Sequence, residues 1–282
     1  MGMRPILLGI IFLVFLIVLK RQSSPFEPAP IPKIIWTYWD SPDRPDMINK
    51  CIDSWSKHNP DFQIRILNQN SVRDWIPGDV KLQADSPQHT SDLIRIHLLA
   101  KHGGVWCDAS ILMTGPLDII TNSEHKFVGF YINQFTERPE WPVIENWFFA
   151  CTPENPFVIK WRDTCDEIKR FERPIDFVED MRRRGVDLQK ISDPVYLSMH
   201  VAAQYVLQKL MTPEQIKEEI RVYPADTGPF AYLHNNNWDS VKGLESVCTS
   251  NSTDISKPFL KLRGAERKVI EENPRLNCVF GN

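Results

Sequence analysis

A chain of 282 residues with a formal net charge of -3 has room for one large domain or two small ones, and it carries no overall basic field to recruit nucleic acid. Its six cysteines (Cys51, Cys107, Cys151, Cys165, Cys248 and Cys278) contain no CxxC pair, which argues against a zinc site, and their even number permits disulfides in an oxidising compartment. Nine Trp and fifteen Phe leave two readings open, an aromatic-rich core or a surface that stacks on rings.

The chain starts with a hydrophobic run. Arg4 and Pro5 precede Ile6 to Leu19, which holds no charged side chain, and Lys20 and Arg21 close it. As a helix it would reach about 21 Å, short of the ~30 Å hydrocarbon core unless Arg4, Lys20 and Arg21 snorkel. A cleaved signal peptide is the rival reading. No small-x-small cleavage site precedes the following Pro-rich segment, so an uncleaved single-pass membrane anchor over residues 1–21 is expected. Basic residues flank both sides, so a lumenal orientation of Golgi or ER type and a cytoplasmic one both stay open. Residues 22–30 (QSSPFEPAP) read as a stem, and residues 31–282 as the folded domain.

Ile31 to Trp39 (IPKIIWTYW) is β-branched and aromatic and predicts a buried first strand. Met47 to Lys57 spaces Met47, Ile48, Cys51, Ile52 and Trp55 as a helix does, and Asn59-Pro60-Asp61 stops it. Phe62 to Leu67 alternates and predicts a second strand. Strand, helix and strand at this spacing make a βαβ unit, so a largely parallel sheet is expected.

Ser71 to Pro87 reads as a short helix plus loop, and the next helix is expected to be capped by Thr90 or Ser91. It carries Leu93, Ile94, Ile96, His97, Leu98 and Leu99 on a wide apolar face, and Asp92 and Arg95 share a face. Gly103-Gly104 ends it, with a left-handed residue expected there. Val105 to Cys107 is a strand, Asp108 sits where it runs out, and Ile111 to Met113 follows before a Gly115-Pro116 break. Cys107 reads as a small buried hydrophobe rather than a nucleophile.

Lys126 to Ile132 predicts a strand, and Asn146 to Ala150 a short aromatic strand or buried loop. Pro156 to Phe171 and Asp193 to Leu210 have helical spacing, Asp193 being either a cap or an acceptor-side carboxylate. Val222 to Pro224 reads as an edge strand, Gly228 to Trp238 as a polar-tipped loop, and Phe259 to Leu262 as a last strand. Asn251-Ser252-Thr253 is a glycosylation sequon, relevant only to a lumenal domain.

Asp108 carries the chemistry in this reading, because open α/β sheets bind ligands beyond the C-terminal ends of their strands. A carboxylate there suits a hard divalent cation, Mn2+ or Mg2+, that would offset charge on a departing diphosphate. Ser110 could add an oxygen ligand or hold a metal-bound water. Gly103 and Gly104 would let backbone approach a ligand closely. Arg95 would bridge Asp92 to a nucleotide or grip the diphosphate itself. Trp39 is placed to stack on a base, and Lys261 and Arg263 to neutralise phosphate charge.

Three segments, IPKIIWTYW, SWSKHNPDF and SDLIRIHLLAKHGGVWCDASILMTGPL, together resemble the capsular polysaccharide synthesis proteins and their relatives. These are DXD-type glycosyltransferases of family 32, which include the yeast initiating α-mannosyltransferase. The similarity covers about residues 31–120, with weaker echoes in ENWFFA, near Pro194 to Leu207, and in SKPFLKL. It implies a GT-A-like α/β fold with a central mixed, mostly parallel sheet flanked by helices. It further implies a divalent metal, a nucleotide-sugar donor (a UDP- or GDP-sugar), a glycan or glycolipid acceptor, and transfer with retention at the anomeric carbon. Asp92 and Arg95 match the family's donor-site pair, Gly103 and Gly104 its glycine pair, and Asp108 its first DXD aspartate. Ser110 stands where the second aspartate usually lies. His234, in the LHNNNW stretch, is placed to complete the metal or diphosphate site, and Asn146 and Trp147 to line the acceptor site. Two rivals remain, a catalytically inactive glycan-binding relative and a metal-dependent nucleotidyl- or phosphotransferase. The second would need more carboxylates near Asp108 than the sequence offers, and no GxxxxGK[ST] phosphate loop is present.

Overall fold

The computed structural model describes residues 30–82, 84, 86–249 and 258–281. The expected anchor, nearly all of the stem and the sequon lie outside them. Among the described residues no helix is long and apolar enough to cross a membrane.

The chain opens with β1 (Ile34–Tyr38), α1 (Asp46–His58) and β2 (Gln63–Leu67), the expected βαβ unit, with β1 and β2 parallel. Then come α2 (Pro87–His102), β3 (Gly104–Cys107), β4 (Ile111–Met113), β5 (Phe127–Tyr131) and β6 (Ile144–Cys151). The C-terminal half adds α3 (Pro156–Glu167), α4 (Pro174–Arg183), α5 (Ser198–Tyr205), β7 (Ile220–Pro224), α6 (Ser240–Thr249), β8 (Phe259–Lys261) and α7 (Gly264–Glu272).

Six strands form one sheet in the order β2-β1-β3-β6-β5-β7. Pairings are parallel except where β6 meets its two neighbours, so β6 alone runs against the rest. This is the mixed, mostly parallel α/β sheet expected from the sequence, with helices on both faces. β4 and β8 make a separate antiparallel pair.

Strand alternation divides the apolar residues between two cores. Trp36, Trp106, Phe127 and Phe149 face α2, α3 and α5, and Trp36 and Trp106 are fully buried. Ile35, Val105, Cys107, Val128 and Phe148 face the other way, with Trp55 of α1 and the β4–β8 pair. The aromatic-rich composition is therefore chiefly core. Burial pushes the Cys51 thiol up to about 12 and the Cys107 thiol well above its ordinary value, which suits the reading of Cys107 as a packed hydrophobe. One disulfide, Cys248–Cys278, is formed; Cys51, Cys107, Cys151 and Cys165 are free and buried.

Two boundaries differ from expectation. α2 starts earlier, because Ser86 caps it by accepting from the His89 amide at 3.1 Å, and Pro87 fits the first turn, where no amide partner is needed. The late helix is shorter. Asp193 accepts from the Tyr196 amide at 3.1 Å, so it caps the turn that leads into α5, and it is absent from the walls of both cavities described below.

His97, on the apolar face of α2, ties that helix to α3. Its Nε2 lies 3.1 Å from Asp166 Oδ1, and Lys169 reaches the same oxygen at 2.6 Å. Burial works against ionising Asp166, but hydrogen bonds and charge from His97 and Lys169 prevail and draw it down to about 2. A carboxyl lowered on folding adds stability above its unfolded value near 3.8 and loses it as pH falls towards about 2. Asp166→Asn is expected to flatten the acid limb of the stability curve in that window. Thermal melts taken from pH 5 to pH 2 would check it, and an acid limb as steep as the wild type's would contradict it.

Candidate active site

A cavity of about 610 Å³ opens at the C-terminal ends of β1 and β3. Its walls come from Tyr38, Trp39 and Asp40 after β1, from Asp92 and Arg95 on α2, and from Asp108 and Ser110 after β3. Lys261, Arg263 and Arg267, running from β8 into α7, close one side. Glu145, Asn146 and Trp147 come from β6, and His200 from α5.

The β6 residues reach the cavity through a register irregularity. Gly129 pairs with Phe149 and Tyr131 with Ile144, so two steps along β5 are matched by five along β6. The surplus residues bulge out of the ladder, as strands do beside functional sites. Glu145, Asn146 and Trp147 are that surplus.

A chain of alternating charge runs through the wall. Asp92 lies 3.3 Å from Arg95, Arg95 lies 3.3 Å from Asp108, and Lys261 lies 2.7 Å from Asp108. Arg95 also donates to the Asn146 carbonyl at 2.6 Å and to Ser91 Oγ at 3.1 Å, and it sits over Trp106 at 5.0 Å. Asn146 Nδ2 donates to Asp92 Oδ1 at 2.9 Å, so helix and bulge hold each other. Trp106 Nε1 donates to Asp108 Oδ1 at 2.9 Å, and Lys261 Nζ donates to Ser110 Oγ at 3.1 Å.

Environment sets the two carboxylates apart. Burial alone would raise Asp108, yet the charges of Lys261 and Arg95 and the hydrogen bonds from Lys261 and Trp106 hold it below the usual carboxylate range. At Asp92 burial wins over the pull of Arg95, and its carboxyl is pushed up. Arg267 Nε is buried at this wall without a hydrogen-bond partner among the described residues. A buried guanidinium N–H without a partner is a group whose hydrogen bond calls for an explanation, and the rest of this guanidinium lines the cavity wall.

The structure therefore brings Asp92, Arg95, Asp108, Ser110, Lys261 and Trp39 together, as expected. It does not bring the glycine pair there. Gly103 and Gly104 lie at the opposite end of β3 from Asp108, outside the cavity wall. A Cβ on Gly103 would lie 2.5 Å from the Pro153 nitrogen, and one on Gly104 would lie 2.7 Å from the Ile34 carbonyl oxygen. Their φ angles of +60° and +91° are left-handed. The donor-site role expected for the pair is corrected to close packing of a helix end against two strands.

His234 is likewise displaced. It ends a short helix, Ala231–His234, and faces a second cavity of about 550 Å³ rather than Asp108. Glu145, Trp147, Lys261 and Arg263 line both cavities, so the two meet at these residues. The second is walled by Trp147, Phe230 and Trp238, with successive ring centroids 5.5 and 5.8 Å apart. Asn133 Oδ1 and Asp226 Oδ1 are buried there without partners among the described residues.

A divalent ion does not fit the expected ligands as they stand. Both Asp108 oxygens are engaged, one by Trp106 and Arg95 and the other by Lys261, and Ser110 also bonds Lys261. Among the described residues no group of three or more His, Cys, Asp or Glu side chains converges as a metal site.

Sequence reasoning missed Glu145, His200 and Arg267. Glu145 is buried, and its Oε2 lies 3.9 Å from His200 Nε2. Only a bulge that sequence does not display brings Glu145 to the junction. Arg267 had a weak signal, the basic spacing of Lys261, Arg263 and Arg267 across one strand end and the following helical turn.

At 28% identity the chain is similar to the O-glycosyltransferase braB of Annulohypoxylon truncatum over 48% of this chain and 37% of that protein. At 30% identity it is similar to the glycosyltransferase afumC of Aspergillus fumigatus over 30% of this chain and 26% of that one. The chain thus spans 37% and 26% of the lengths of these two curated relatives. Among solved structures, the PaToxG glycosyltransferase aligns over 96% of this chain and 93% of its own, at 14% identity and a TM-score of 0.42, too distant to support an inference. The family model of the capsular polysaccharide synthesis proteins matches residues 17–171, more than half the chain, and takes in Asp92, Arg95, Asp108, Ser110 and the β6 bulge. With that match extending over more than half its length, the chain belongs to the capsular polysaccharide synthesis protein family.

Proposed function

We propose that this protein is a glycosyltransferase that moves a hexosyl residue from a UDP- or GDP-sugar to a hydroxyl of a glycan or glycolipid. The observation that carries the reading is the cationic wall formed by Arg95, Lys261, Arg263 and Arg267 at the C-terminal sheet edge. A diphosphate lying along it would meet charge from Lys261 and from the Arg267 guanidinium. Trp39 and Tyr38, in the same cavity, offer rings for the base. The second cavity then takes the acceptor, its aromatic walls contacting sugar faces and Asn133 and Asp226 accepting from hydroxyls.

In the transfer, the bond from the anomeric carbon to the β-phosphate oxygen breaks, and both electrons leave on that oxygen. The acceptor oxygen bonds to the anomeric carbon, and its proton passes to the departing phosphate. This route retains configuration and needs no separate protein base. Lys261 opposes the growing negative charge, and Asp108, itself fixed by Arg95 and Trp106, keeps its ammonium in place. The similarity of the chain to proteins named as glycosyltransferases supports the reading. The apolar run Ile6 to Leu19 would hold the domain at a membrane bearing the acceptor.

The test is a screen of UDP- and GDP-sugars for donor hydrolysis and for transfer to simple glycosides. Release of nucleoside diphosphate from one donor class is expected. Binding of free sugar without affinity for any nucleotide would overturn the reading in favour of a glycan-binding protein.

A further inference from the structure

We propose that Lys261 takes the place of the divalent ion that the DXD resemblance implies, so that transfer at this site proceeds without metal. The inference rests on the glycosyltransferase reading above and deepens it. Three observations carry it. Lys261 Nζ sits between the two expected ligands, 2.7 Å from Asp108 Oδ2 and 3.1 Å from Ser110 Oγ. Arg95 approaches the other Asp108 oxygen at 3.3 Å, so the carboxylate already faces two fixed cations. Ser110 supplies a neutral hydroxyl where a second carboxylate would be needed to balance a doubly charged ion.

An ion entering between Asp108 and Ser110 would have to expel the ammonium or lie against it, and like charges at such distances in a buried wall repel strongly. Lys261 reaches this place because β8 pairs with β4, with Lys261 opposite Ile111, the residue after Ser110. Its side chain is 10% exposed and lines both cavities. The ammonium has three donors, of which Asp108 and Ser110 use two. The third is left for an oxygen of the departing phosphate at the junction of the two cavities. Arg267 adds a second donor to the same anion.

The experiment uses the full chain with a panel of UDP- and GDP-sugars, in excess EDTA and in Mn2+. Donor affinity and turnover are expected to agree within about threefold between the two conditions. The electron paramagnetic resonance signal of free Mn2+ should fall no further with protein and nucleotide than with nucleotide alone. Lys261→Ala is expected to reduce turnover in EDTA by about 100-fold or more, the loss typical of removing one oxyanion donor. Lys261→Ala is also expected to make Asp108 and Ser110 accessible to Mn2+, so that manganese restores part of the donor affinity. Should the variant fail to fold, the wild-type arms decide alone. Donor binding that EDTA removes and Mn2+ restores overturns the lysine assignment but leaves the glycosyltransferase reading standing. Failure to bind any nucleotide in either condition overturns both.

Discussion

Asp108→Asn is expected to lower the melting midpoint by roughly 6–12 °C and to reduce sugar transfer at least 100-fold. The substitution keeps side-chain volume and removes one charge. Asp108 stands between Arg95 and Lys261, whose side chains are 6% and 10% exposed. Deleting the anion leaves the Lys261 ammonium without a carboxylate partner and Arg95 with Asp92 alone. Breaking a buried pair from one side costs about 3–5 kcal/mol, and asparagine, which still accepts a hydrogen bond, falls at the low end. For a domain of this size ~1 kcal/mol shifts the midpoint by roughly 2–4 °C. The loss of transfer has a separate origin, because Lys261 and Arg95 would no longer be held at the cavity wall. Asp108 is lowered on folding, so its contribution is present above the ordinary carboxylate value and disappears as pH falls through the folded one. The wild-type excess in stability over Asp108→Asn should therefore shrink with acid. Calorimetry at several pH values and a turnover assay check both parts. An unchanged midpoint together with unchanged transfer would contradict them.

The second large effect is expected at a residue that touches no ligand. Gly103→Ala should destabilise the fold by about 4 kcal/mol or prevent soluble expression, while the folded fraction keeps wild-type donor affinity within about twofold. The backbone at Gly103 has φ 60° and ψ -158°, a region populated almost only by glycine. The new methyl would also meet three backbone atoms of 151–153 at 2.8 Å or less, and none of these is a flexible side-chain end that could move aside. Strain and overlap add, which places the substitution in the severe class. Thermal melts and nucleotide titration separate the two consequences. A fall in donor affinity at unchanged stability would return the glycine pair to the binding site.

The contrast between these residues shows what the amino-acid sequence made legible. Apolar periodicity gave β1, α1 and β2, and with them a parallel sheet, because each element buries one face. Asp92 and Arg95 were readable as a pair because three residues of helix put them side by side. The glycine pair was misassigned because closeness in sequence is not closeness in space along a strand. The four residues of β3, at ~3.3 Å each, carry the chain about 13 Å from Gly104 towards Asp108. Lys261 was named, but its partner was not, since the separation of 153 positions between it and Asp108 is closed by the β4–β8 pairing. Glu145 was hidden by a bulge, which is a relation between two strands and is written in neither. His234 was placed near the metal by resemblance, and the short helix carrying it turns instead to the aromatic cavity.

The most direct measurement is a calorimetric titration of the chain with UDP and with GDP, repeated on Arg267→Ala. One nucleoside diphosphate should bind to the wild type with a single site per chain, and the variant should bind it at least tenfold more weakly at an unchanged melting midpoint. Equal affinity for wild type and variant, or no heat with either nucleotide, would mean that the cationic wall beside Asp108 does not receive a diphosphate.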